Sequence, residues 1–138
     1  MIIKDYFYEK FIENPEKGTD RIFNFLSKIN HPQRKLKNII HVAGTNGKGS
    51  TIEFLRSCLY FNQLTSNVFT SPHLLKINER FFIKDKVIDD DLLSSIIENC
   101  SHFCSDQELS FFEFITACAF ELFSKNISDF NIIEVGIG

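Results

Sequence analysis

The segment His41-Val42-Ala43-Gly44-Thr45-Asn46-Gly47-Lys48-Gly49-Ser50-Thr51 constrains this chain more than any other. Before it, Asn38 to Ala43 is rich in β-branched residues and reads as a buried strand. After it, residues from about Ser50 to Asn62 read as a helix burying Phe54, Leu55, Cys58 and Leu59. A glycine-rich turn between a strand and a helix is where backbone amides gather around a phosphate. Glycine lets the main chain approach the anion, and the helix N-terminus adds its own unpaired amides. Lys48 can reach β- and γ-phosphates, and a hydroxyl in the first helical turn can ligate magnesium. The predicted cradle is Gly44, Thr45, Asn46, Gly47, Lys48, Gly49 and Ser50. It departs from the general motif at two points: Val42 stands where glycine is usual, and Gly49 separates the lysine from its hydroxyl at Ser50.

The rest of the chain sorts into alternating strands and helices. Residues 5–13 suggest a short aromatic helix broken by Pro15 and Gly18, and Asp20 to Ile29 a second one ended by Pro32. In the second, Ile22, Phe25, Leu26 and Ile29 share one face. Ser66 to Phe69 reads as a strand, Thr70 to His73 as a loop, Arg80 to Lys84 as a strand and Asp85-Lys86 as a turn. Asp89 to about Cys104 is a predicted helix with Leu92, Leu93, Ile96 and Ile97 inward. Ser110 and Glu113 fit a capping box for a helix reaching about Lys125. Ile132 to Val135 is a last strand, and its Glu134 is a charge inside an apolar run. This alternation predicts an α/β fold: a mainly parallel sheet with flanking helices.

Composition bounds the function. With 43% hydrophobic and 24% charged residues in 138, the chain has the make-up of a folded globular domain. A net charge of −3 gives no electrostatic reason to expect nucleic acid as a partner. No apolar run approaches the roughly 20 residues of a membrane helix, and Met1 to Asp5 lacks the features of a signal peptide. A cytoplasmic protein with no membrane partner is expected, and its four cysteines, Cys58, Cys100, Cys104 and Cys118, are expected as free thiols. Cys100 and Cys104 share a helix face, but His102 between them would point elsewhere, so packing is expected rather than zinc.

Gly-Thr-Asn-Gly-Lys-Gly-Ser at residues 44–50 resembles the ATP loop of the folylpolyglutamate synthase and dihydrofolate synthase family, a branch of the Mur ligase superfamily. In the cell-wall branch, Thr or Ser usually follows the lysine directly, so Gly49-Ser50 favours the folate branch. Thr70-Ser71-Pro72-His73-Leu74 with Asn78-Glu79-Arg80 is similar to that family's folate-side loop, which also reaches the metal. Phe111-Phe112-Glu113-Phe114-Ile115-Thr116, then Ala119-Phe120, resembles its Phe-Glu segment beside the pterin pocket, although Glu113 already has capping work. Ile133-Glu134-Val135-Gly136-Ile137-Gly138 resembles the start of its Glu-Val-Gly signature, whose glutamate ligates magnesium, and Glu16-Lys17-Gly18 falls where the family contacts pteroate.

The resemblance implies a P-loop, Mur ligase-like ATP-binding domain of which residues 1–138 form the N-terminal part, with the C-terminal ligase domain absent. It implies an ATP- and Mg2+-dependent ligase joining L-glutamate to a folate or dihydropteroate carboxylate through an acyl phosphate. Lys48 would be catalytic. Ser50, Ser71 and Glu134 would hold the metal, and Ser71, His73, Ser110, Phe111, Phe112 and Glu113 would bind folate. Family members are commonly monomeric. The chain ends inside the glutamate signature, so little or no ligase activity is expected from it alone, and a nucleotide-binding fragment without catalysis is the alternative.

Overall fold

The computed structural model describes residues 5–136. Met1 to Lys4, and the Ile137-Gly138 end of the glutamate signature, lie outside the described residues. The helices are α1 (Asp5–Tyr8), α2 (Asp20–Lys28), α3 (Lys48–Phe61), α4 (Asp90–Ser101) and α5 (Phe111–Lys125). The strands are β1 (Ile39–Val42), β2 (Ser66–Phe69), β3 (Phe81–Ile83), β4 (Lys86–Val87) and β5 (Phe130–Glu134). Short 3-10 turns cover Pro32–Lys35 and Ile77–Arg80.

The strands form one sheet in the order β1-β5-β2-β3-β4. β5 runs parallel to both its neighbours, pairing Val42 with Glu134 on one side and Phe69 with Ile133 on the other. β2, β3 and β4 are successively antiparallel. The sheet is therefore mixed, with the expected parallel part confined to β1, β5 and β2. The β3–β4 hairpin turns at Lys84 and Asp85, at φ 47° and 67°. Positive φ at both central residues gives a twist that matches the flanking strands.

α3 covers one face of the sheet, burying Ile52 against Val42, Val68 and Ile132. The larger core lies on the other face. There α2 contributes Phe25, Leu26 and Ile29, α4 contributes Leu93, Ile96 and Ile97, and α5 contributes Phe114, Ile115, Leu122 and Phe123. These pack on Phe69, Phe81 and Ile133 of the sheet. Alternate strand residues point to opposite faces, which is why neighbours such as Val68 and Phe69 belong to different cores. No helix among the described residues is long and apolar enough to cross a membrane.

The structure corrects several expectations. Among the described residues β1 is an edge strand rather than a buried one: there it pairs with β5 alone, and Ile39 is 51% exposed. On α3, Phe54 is 74% exposed and Cys58 is exposed, while Leu55 and Leu59 are half-buried. Phe54, Cys58 and Phe61 form a second stripe at helical spacing that turns away from the sheet. The first helix stops at Tyr8, Leu92 is 37% exposed, and Arg80 ends a 3-10 turn instead of opening a strand. The four cysteines, by contrast, are free thiols as expected.

Asn67 and Asn131 face each other across β2 and β5 with both side chains buried. Asn67 Nδ2 donates to Asn126 O at 2.6 Å and to Asn131 Oδ1 at 3.2 Å, while its Oδ1 accepts from Lys84 N at 3.1 Å. Asn67→Leu would strand these partners without water. It should cost about 2–4 kcal/mol in urea unfolding. A loss under about 0.5 kcal/mol would contradict the network's role.

Candidate functional site

The carboxyl ends of β1, β5 and β2 lie side by side: the glycine loop leaves β1, the Ser71 loop leaves β2 and Glu134 ends β5. In an open α/β sheet this is the crevice where ligands bind. The chain leaving β1 enters the glycine loop. Gly44 has φ 148° and Gly47 has φ 77°, backbone conformations that L side chains rarely adopt. Gly47 is also the N-cap of α3, so the loop delivers the chain straight into Lys48 and the helix. Lys48 Nζ folds back to Gly44 O at 2.7 Å, and Thr51 Oγ1 donates to Gly47 O at 2.9 Å. Thr45, Asn46, Gly49 and Ser50 are exposed, leaving the loop face and the first turn of α3 open.

Beside the loop, Glu134 ends β5 and is 5% exposed. Its Oε2 accepts from the Ser71 backbone N–H at 2.8 Å, and Ser71 follows the end of β2 by two residues. The parallel pairing therefore brings the predicted metal residues Ser71 and Glu134 into contact. Carboxylate and hydroxyl oxygens suit a hard cation such as Mg2+, which takes one or two protein carboxylates and completes its shell with water and ligand phosphate. Glu134 with Ser50 and Ser71 fits that donor set.

The loop after β2 is held from within. Glu79 collects the amides of Leu74, Leu75 and Lys76 at 2.7, 3.0 and 2.9 Å. The Leu74 and Lys76 hydrogen bonds lead in pulling its carboxyl below the usual glutamate range. Arg80 Nε donates to His73 Nδ1 at 2.8 Å. Burial, then the Arg80 charge, lowers the His73 pKa.

The third segment is the start of α5. Glu113 N donates to Ser110 Oγ at 3.3 Å and Ser110 N donates to Glu113 Oε2 at 2.8 Å, which completes the capping box. Phe111 and Phe112 lie in the first turn. Phe112 sits so close to Gly136 that a Cβ there would come within 2.7 Å of the ring.

A cleft of about 1160 Å³ meets the glycine loop at Lys48, the loop after β2 and the start of α5, while Gly44 to Gly47, Gly49, Ser50 and Glu134 are not in its lining. Lys48, Ser71 and Pro72 line it together with Arg80, Ser110, Phe111, Phe112 and Gly136, and Tyr8 to Pro15 contribute a further wall. Among the predicted folate residues, Ser71, Ser110, Phe111 and Phe112 meet there; His73 and Glu113 do not line it. His73 is turned to Arg80. Glu113 is turned to Arg21, whose Nη2 reaches its Oε1 at 3.0 Å and also donates to Glu16 O at 2.7 Å. Burial works against the Glu113 charge, but hydrogen bonds from Ser110 and Arg21 outweigh it and hold the pKa below the usual range. Glu16, Lys17 and Gly18 are outside the lining, and Pro15 represents that region. Arg80, Tyr8, Phe11 and Gln107 line the cleft without having been singled out as site residues. Only Arg80 carried a sequence signal, through its place in Asn78-Glu79-Arg80.

No protein-family model matches the chain. It is 35% identical over 128 residues to the dihydrofolate synthase/folylpolyglutamate synthase of Bacillus subtilis (strain 168), covering 88% of this chain and 30% of that protein. A crystal structure of bifunctional folylpolyglutamate synthase/dihydrofolate synthase with Mn, AMPPNP and L-glutamate bound matches with TM-score 0.83 and 33% identity, over 91% of this chain and 30% of that one. E. coli FolC in complex with DHPP and ADP matches with TM-score 0.86 and 27% identity, over 96% of this chain and 32% of that one. The chain thus spans about a third of the length of the relatives it matches.

The Gly136–Phe112 contact generates a test of the aromatic wall. Gly136→Ala should leave the fold intact and push the Phe112 ring off its seat, because the ring's far edge yields more easily than backbone. Aromatic NMR shifts would report the displacement, and an unmoved Phe112 resonance would contradict it.

Proposed function

The chain belongs to the folylpolyglutamate synthase and dihydrofolate synthase family, and on that premise we propose that it carries the nucleotide and folate sites of an ATP-dependent ligase. The reaction joins L-glutamate to a folate or dihydropteroate carboxylate. In this reading residues 1–138 are the N-terminal part of the ATP-binding domain of a monomeric, cytoplasmic enzyme. The observation that carries it is the shared cleft: Lys48 of the glycine loop, Ser71 and the Phe111–Phe112 wall line one cavity.

ATP would supply the phosphoryl group that activates the acid, and Mg2+ would neutralise charge on that group. The chain's own residues bind and orient. Amides from Asn46 to Gly49, with the N-terminus of α3, form the anion cradle. Lys48, now resting on the Gly44 carbonyl, has a long flexible stem and can exchange that contact for a phosphate oxygen. Glu134, fixed by the Ser71 amide, would hold the metal with Ser50 and Ser71. Phe111 and Phe112 offer ring faces to a flat heterocycle. The role of such a site is positioning and charge stabilisation, with no covalent nucleophile required. The glutamate partner and completion of the catalytic centre are assigned to the further length that the relatives possess, so the 138 residues alone should show little or no ligase turnover.

The test is calorimetric titration of the chain with AMPPNP. Lys48→Ala should weaken binding about tenfold or more, since it removes a charge-assisted contact. Glu134→Gln should abolish the gain in affinity that Mg2+ confers while leaving the metal-free affinity in place. Unchanged nucleotide affinity in Lys48→Ala would remove the loop from the nucleotide site.

A further inference from the structure

The two edges of the sheet are built differently. At one end, β4 has two residues, Lys86–Val87, and opens with a lysine. A short, charged edge strand discourages further pairing. At the other end, β1 has four residues, Ile39-Ile40-His41-Val42, with no proline, lysine, arginine or carboxylate among them. Asn38 O and Val42 O accept from Asn131 N at 3.1 Å and Val135 N at 2.9 Å on the β5 side. Backbone groups alternate sides along a strand, so Ile39 and His41 turn their N–H and C=O away from β5. Among the described residues no strand meets them there, and such a row is a template for another strand.

Helix α3 is uncovered on the same side. The core beneath it runs from Ile40 and Val42 of β1 to Phe82 of β3, with Ile52, Leu55 and Leu59 facing down. Its flank towards β3 is closed: the Arg56 guanidinium carbon is 4.1 Å from the Phe82 ring centroid, and Arg56 Nη2 donates to Asp85 O at 3.3 Å. At about 100° per residue, Cys58 and Phe54 fall on the opposite flank, towards β1. Both are exposed there, and exposed Phe61 continues the stripe. The open strand edge and the uncovered apolar flank are therefore adjacent.

The parallel part of the sheet indicates what fits them. A parallel neighbour has to be reached by a crossover of about a dozen residues or more, usually a helix, and parallel strands carry helices on their faces. A parallel strand beside β1 would bring such a helix, for which the Phe54–Cys58 flank is an apolar seat. The relatives have the length to supply both, since this chain covers 30% of the Bacillus subtilis protein.

We propose that the β1 edge and the Phe54–Cys58 flank of α3 form one docking surface for a β-strand backed by an apolar helix, supplied by the length that the relatives possess beyond their match to this chain. This deepens the ligase reading and rests on the family membership behind it. Because β1 leads into the glycine loop, the carboxyl end of a parallel strand beside it would open next to that loop, where further ligand-binding residues can enter the crevice.

The test compares the 138-residue chain with a chimera in which it replaces the matched segment of the Bacillus subtilis protein. Hydrogen exchange at the Ile39 and His41 amides should be about 100-fold slower or more in the chimera, with Lys86 and Val87 exchanging alike in both. Cys58 should react with iodoacetamide in the chain and be shielded in the chimera. Phe54→Ser should leave the urea midpoint of the chain unchanged and lower that of the chimera, whereas a role inside the 138 residues would lower both. If the chimera does not fold, the remainder of the Bacillus subtilis protein, expressed separately and added to the chain, carries the exchange and alkylation measurements. Equal exchange at Ile39 and His41 with and without the added length, or new protection at β4 in place of β1, would overturn the proposal. So would concentration-dependent protection in the chain alone together with a dimer in sedimentation, which would give the surface to a second copy. None of these readouts involves nucleotide or folate, so the ligase reading is decided separately, by the AMPPNP titration.

Discussion

The hydrogen bond from the Ser71 amide to the Glu134 carboxylate organises the top of this sheet. A buried carboxylate is costly unless it is paired or solvated by fixed dipoles. Here it sits at the end of the strand lying between β1 and β2, and it receives an amide from the chain leaving β2. The register does the rest. Val42 pairs with Glu134, and Val135 N donates to Val42 O at 2.9 Å, so the ladder carries the glycine loop to the same edge. Three loops distant in sequence are thereby fixed around one acidic group, a geometry suited to a cation and the phosphates it bridges.

A second constraint divides the cleft. The start of α5 is held by its capping box and by the Arg21–Glu113 pair, and this keeps Phe111 and Phe112 in the cleft lining. Arg21 also holds the Glu16 carbonyl, so the pair braces the stretch next to Pro15 at the cleft wall. Glu113, read from the family resemblance as a folate contact, serves the aromatic wall as its anchor. Similarly, Glu79 organises the loop after β2 from outside the cleft, through three amides rather than through a ligand.

The parts legible in the sequence are those decided locally. The α2 face, the Ser66–Phe69 strand, the α5 capping box and the strand–glycine loop–helix order depend on spacing within a few residues. The parts that were not legible depend on what a segment meets. β1 has the composition of an interior strand, and only the sheet order places it at the edge. α3 carries two apolar stripes, and only the sheet beneath selects Ile52, Leu55 and Leu59 over Phe54 and Cys58. Arg80 looked like a strand residue because aromatic and branched residues follow it. Its tie to His73 and its place beside Phe111 arise from a turn and a long-range approach that no local pattern encodes.

The glycine loop, Ser71 and Glu134 are proposed to share one metal–nucleotide site. Titrating the isotope-labelled chain with Mn2+ and AMPPNP, and following paramagnetic broadening of its amide signals, tests this directly. Broadening centred on residues 44–51, Ser71 and Glu134 and spreading towards Arg80 and Phe111 is the predicted result. Broadening centred elsewhere, for example on the acidic stretch Asp89 to Asp91, with the loop amides left sharp, would contradict it.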